Sequence, residues 1–145
     1  MLFRSVSQSR YTQPIFTRVP AIEWGATALT ASNTAKDGTG TVLTVFTADS
    51  TNGSYLSSIT FRAAGTNTAT VGRVFINNGQ TNATASNNIL YNEITLSATT
   101  LSEVASTANY VLPMNIALPP GYKINVTIGT TVAAGYYISA IGGDY

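Results

Sequence analysis

The chain has no cysteine and no histidine, and only six carboxylates in 145 residues. Without cysteine there is no disulfide framework, thiolate nucleophile or zinc-ribbon site. Without histidine there is no Ser–His triad, no imidazole-ligated metal and no switch at physiological pH. No two of the acids lie within five positions of each other, which leaves little for paired-carboxylate chemistry. Charge of either sign is scarce: 9% of residues, against about 25% in ordinary soluble domains. The formal net charge of +1 gives no bulk electrostatic case for nucleic acid. These absences predict a protein that is not an enzyme and holds no cofactor or metal.

Neutral polar residues take the place of charge, with 23 Thr, 13 Ser and 12 Asn. A folded monomer of 15.2 kDa exposes about 7,000 Å², or roughly one charge per 550 Å² if every charged side chain is outside. Freely diffusing monomers normally rely on mixed charge for solubility. The composition therefore suits a subunit packed against copies of itself or against a larger assembly. The hydrophobic fraction of 44% is enough for one core, and the length predicts one domain.

No apolar run near the N-terminus has the form of a secretory signal. The uncharged stretch 124–143 has the length of a membrane span, but its glycines, threonines and Asn125 break it into two strand-like pieces. No membrane partner is expected.

The first 22 residues hold three arginines and no acid, whereas residues 23–145 hold four bases and six acids. Pro14 and Pro20 disfavour a helix there. This segment predicts an extended arm, with Phe3, Arg4, Arg10, Tyr11, Phe16 and Arg18 as partner-binding anchors. Residues 23–145 predict one all-β domain, a β-sandwich or jelly roll of seven to nine short antiparallel strands. Strand patterns run over 41–47, 55–62, 69–76, 89–96, 121–128 and 135–141, with turn signals about every ten residues. In the second, Tyr55, Ser57, Ile59 and Phe61 are expected on one face. Between 121 and 128, Tyr122, Ile124, Val126 and Ile128 should face in, and Lys123, Asn125 and Thr127 out. Gly72 marks a bulge or a close approach, the proline-bracketed 114–118 an edge strand or an ordered connection, and 24–30 a further strand.

The candidate chemistry is thin. Lys36–Gly40 and Asp49–Gly53 resemble fragments of cation loops but lack the late carboxylate, so both predict turns. Glu93 and Glu103 are the only acids placed where a glycosidase pair could form, and exposed rim charges explain them as well. Three Asn-x-Ser/Thr sequons, at Asn52, Asn82 and Asn125, match what chance gives at this composition. Tyr11, Tyr55, Tyr91, Tyr110, Tyr136, Tyr137, Tyr145 and Trp24 could stack on sugar rings, yet tyrosine is equally at home in strands and interfaces. Lys36, Arg62, Arg73 and Lys123 are too scattered for a nucleic-acid stripe.

The segment from Leu118-Pro-Pro-Gly-Tyr-Lys-Ile-Asn-Val-Thr-Ile to Tyr-Tyr-Ile-Ser-Ala-Ile-Gly-Gly-Asp-Tyr145 resembles a recurring ending of small proteins of tailed bacteriophages. Gly65-Thr-Asn-Thr-Ala-Thr-Val, Arg73-Val-Phe-Ile-Asn-Asn-Gly and the stretch 98–103 resemble the same group, so the likeness spans about residues 35–145. The resemblance implies a virion protein with no known catalytic residue. Among virion roles, head decoration, or cementing, best fits a compact β domain with an arm. The implied partners are the major capsid protein and further copies of this chain, with a homotrimer favoured by capsid symmetry. A tail, fibre or neck component and a carbohydrate-binding adsorption module are the alternatives.

Overall fold

The computed structural model describes residues 17–145. Among the described residues there are eight strands: β1 (Val19–Trp24), β2 (Leu43–Thr47), β3 (Ser54–Ala63), β4 (Thr70–Asn77), β5 (Asn88–Leu96), β6 (Asn109–Leu118), β7 (Lys123–Ile128) and β8 (Tyr136–Asp144). They form two four-stranded antiparallel sheets, sheet A in the order β1-β8-β3-β6 and sheet B in the order β2-β7-β4-β5. The domain is thus an all-β sandwich, as the turn spacing and strand alternation predict.

The core lies between the sheets. Leu56, Ile59, Phe61, Leu112, Met114, Tyr136, Ile138 and Ala140 come from sheet A; Val45, Phe46, Val74, Leu96, Ile124, Val126 and Ile128 come from sheet B. The predicted inward set of β7 is found there, with Tyr122 half-buried beside it. Gly72 is a close approach: a Cβ there would sit 3.0 Å from the Phe61 ring and 3.2 Å from Ile94. The stretch 114–118 belongs to β6, an edge strand, which is where a proline such as Pro113 is tolerated.

Three expectations need correction. Residues 19–22, assigned to the arm from Pro20 and the charge shift, lie in β1 and pair with Ile141–Asp144. Pro20 is compatible with this because β1 is an edge strand and asks for fewer N–H donors. Trp24 ends β1 rather than opening a strand of its own. In β3, Ser57 is an extra residue against β8, since Leu56 pairs with Gly142 and Ser58 with Ile141. That bulge shifts the alternation, so Ser54 and Leu56 turn inward before it and Ile59 and Phe61 after it, while Tyr55 stays outside.

Every edge strand is interrupted. β1 carries Pro20, and β2 has Val45 as an extra residue between Thr44 and Phe46. β5 has Tyr91 as an extra residue opposite the Val74–Phe75 step. β6 carries Pro113, an extra residue opposite Ser57, and Asn115 in the left-handed region at φ 50°. Prolines and bulges on edges block the addition of another strand.

Candidate assembly face

Five of the six carboxylates are held by hydrogen bonds or an ion pair within the fold. Asp37 accepts hydrogen bonds from the Thr39 N–H at 3.1 Å and its hydroxyl at 2.6 Å. Asp49 accepts from the N–H groups of Thr51 and Asn52, at 3.0 and 2.7 Å, closing the turn that Gly53 finishes at φ +77°. These bonds hold both carboxyls below the usual aspartate range. Glu93 pairs with the Arg73 guanidinium at 2.8 Å, and Glu103 lies exposed in the segment before β6. Asp144 accepts from the Ser54 hydroxyl. Glu23 is partly buried and accepts from the Thr47 N–H at 2.9 Å; burial pushes its carboxyl up, with Asp144 adding to the rise. Among the described residues no three Asp or Glu side chains come together.

Of the candidate sugar-stacking residues, Trp24, Tyr55 and Tyr137 come together on the outer face of sheet A, while others, like two of the glycosylation sites, are tied into the fold. Tyr136 is fully buried, and Tyr110 accepts from the Ser97 N–H at 3.0 Å. Asn125 is buried and accepts from the Thr44 hydroxyl at 2.8 Å, whereas the Asn82 amide bonds the carbonyls of Gly38 and Gly40 at 3.2 and 2.7 Å. The stretch 124–143 forms β7, a turn and β8, and among the described residues no helix is long and apolar enough to cross a membrane.

What the fold does gather is a surface. Because Ile59, Phe61, Ile138 and Ala140 point into the core, their neighbours in β3 and β8 point away from it, and pairing aligns them into rows across sheet A. The first row is Pro20, Gly143, Tyr55 and Ala117, with Gly143 buried beneath Thr17, and the second Ile22, Ile141, Ser58 and Pro113. The third is Trp24, Ser139, Thr60 and Val111, and the fourth Tyr137, Arg62 and Asn109. Arg62 is the one charged residue among these fifteen. Trp24 is 69% exposed, Ile22 62% and Tyr137 60%, with Val111 and Ile141 about half exposed. Apolar side chains of this size carry roughly 150–250 Å² each, so five at this exposure give on the order of 500 Å². The largest patch on a typical monomer is about 300–600 Å² and is often functional.

Of the sequence-predicted anchors, Phe3, Arg4, Arg10, Tyr11 and Phe16 lie outside the described residues. Arg18 is exposed just before β1, where its N–H donates to the Asp144 carbonyl at 2.8 Å. The sequence offers Trp24 and Tyr137 only as sugar-stacking candidates, and the face residues Ile22, Val111 and Ile141 went unrecognised in it. Their signal was present in β8, where Tyr137 and Ile141 are apolar on the side opposite Tyr136, Ile138 and Ala140; a strand apolar on both sides has two surfaces to bury. Comparison with protein-family models, curated proteins and solved structures finds no match to this chain.

Proposed function

We propose that this chain is a non-enzymatic structural subunit of a tailed-phage virion, a head decoration protein that binds the major capsid protein lattice and stabilises it. The observation that carries the proposal is the outer face of sheet A, a broad four-row surface with one charge, suited to permanent burial in an assembly. The strand order, β1-β8-β3-β6 over β2-β7-β4-β5, supports the jelly-roll reading, an architecture found among viral capsid and lectin domains. The resemblance over residues 35–145 supports the same reading. In this account residues 1–18 supply the capsid anchor through Phe3, Arg4, Arg10, Tyr11, Phe16 and Arg18. Neutral Thr, Ser and Asn side chains add many modest hydrogen bonds, and repetition over a shell multiplies them.

The test is cosedimentation with decoration-free heads, using the full chain and a version lacking residues 1–16, which keeps β1 whole. Saturable binding by the full chain alone is the expected result. Binding by both forms moves the anchor to the sandwich, and binding by neither rejects head decoration in favour of a tail, fibre, neck or glycan-binding role.

A further inference from the structure

We infer that the outer face of sheet A is the contact between two copies of this chain, packed sheet on sheet about a two-fold axis. The inference deepens the assembly reading, since it rests on that face being buried, and names the occupant as a second copy.

Three features select a copy of this chain. First, with no acid and one arginine in its four rows, the face offers little to a strongly charged partner, and pairing with a copy brings in only one Arg62 from each side. Second, the edges of sheet A are blocked by Pro20 on β1 and by Pro113 with Asn115 on β6, so association proceeds through the face and not by continuing the sheet. Third, the area suffices. Four strands about 4.8 Å apart and four outward rows about 6.8 Å apart cover on the order of 500 Å² in projection. Two such faces bury about 1,000 Å² or more, the lower bound for a specific interface.

The register also supplies complementarity. A two-fold axis parallel to the strands and between β8 and β3 exchanges β1 with β6 and β8 with β3. Trp24 of one copy then faces Val111 of the other, Ile22 faces Pro113, and the hydroxyls of Ser139 and Thr60 meet at the centre. Arg62, the only charge, faces the ring of Tyr137, which accommodates a guanidinium. Sheets packed face to face lie about 10 Å apart with strands within about 30°, a spacing these side chains fill.

Trp24, the only tryptophan, stands in the contact and reports on it. The purified full chain is followed by analytical ultracentrifugation and by acrylamide quenching of Trp24 across a dilution series. The expected result is a dimer that dissociates on dilution while Trp24 becomes quenchable over the same range. Ile22→Lys should weaken association at least about tenfold, by placing an unpaired charge in a buried contact. Ile89→Lys, an equal change at a similarly exposed site on β5 of sheet B, should leave it unaltered. Circular dichroism confirms that each variant folds, and the wild-type series decides the matter if one does not. A monomer at every concentration with Trp24 freely quenched overturns the inference. So does a monomer whose Trp24 is shielded at every dilution, which would mean that the chain covers its own face. Shielding of Trp24 only when heads are added would give the face to the capsid and leave the decoration reading standing. Dimerisation without head binding would sink decoration and keep the pairing.

Discussion

The two sheets differ most on their outward sides. Sheet B is closed over by its own chain. Segment 33–41 starts beside β7, where the Asn33 N–H donates to Ile128, and reaches across to β5, where Asn88 donates to the Asp37 carbonyl at 3.2 Å. Asparagine amides lace it down. Asn33 bonds the carbonyls of Thr39 and Thr41, Asn82 those of Gly38 and Gly40, and Asn88 also those of Asn82 and Thr84. Beneath it Phe75, Asn77, Asn125 and Thr127 are buried although they point away from the core between the sheets. Among the described residues sheet A has no such cover on Ile22, Trp24, Tyr137 or Ile141. Among the described residues, then, the sandwich covers one outer side with its own chain and leaves the apolar side chains of the other exposed. Three of its asparagines, Asn33, Asn82 and Asn88, serve the covered side as carbonyl-capping amides.

The comparison is most easily broken at Phe75. If sheet B has a true second core, Phe75→Ala should cost about 3–5 kcal/mol in chemical denaturation, as a buried core aromatic does. A loss below about 1 kcal/mol would mean that the cover is loose.

Next in size is Asn88→Ala. It removes three carbonyl contacts and leaves the buried Asn77 amide without its 2.7 Å acceptor. A loss of about 1–3 kcal/mol is expected, with faster hydrogen exchange confined to 33–41 and 78–88.

Glu23 joins the two sheets, because its carboxylate on β1 accepts from Thr47 on β2. Its folded pKa is raised above 4.5, so its contribution to stability is complete below 4.5 and is lost as pH rises through the folded value. Asp37 and Asp49 behave oppositely: their contribution is present above 3.8 and lost as pH falls through their lowered folded values. Thermal stability should therefore rise on acidification from neutrality toward 4.5 and fall below 3.8. Glu23→Gln should remove the rise and keep the fall, and an unchanged profile would exclude Glu23 as its source.

The smallest expected effect sharpens the contrast. Trp24→Ser in dilute monomer should change stability by no more than about 0.5 kcal/mol, because its ring is uncovered there.

Alternation and turn chemistry were legible because both are local. Asp49–Gly53 and Lys36–Gly40 read as turns, and β7 read with its inward residues in place. Asn125 and Thr127 read as outward but not as buried, since their cover comes from a segment about ninety residues earlier in sequence. The β3 bulge was illegible for a similar reason. Tyr55-Leu-Ser-Ser-Ile59 fits either phase, and only pairing with Gly142 and Ile141 chooses between them. Asn67 reads as a turn residue, yet it is buried and ties three loops together. Its amide donates to Gly135 and its carbonyl accepts from Ala134 and Gly135, while its backbone exchanges bonds with Thr99. The outer face of sheet A was half legible, in the two-sided apolar pattern of β8, but its rows exist only once β1, β3 and β6 lie beside that strand.

The interrupted edges bear on the life of the chain before it reaches any assembly. A sandwich rich in β-branched residues and nearly without charge has little electrostatic repulsion to keep nascent copies apart in a crowded cell. Pro20, Val45, Tyr91, Pro113 and Asn115 provide that separation by geometry, at the four places where open-ended fibre growth would begin. Because shape does not weaken with ionic strength, this protection should hold equally in dilute buffer and in concentrated salt.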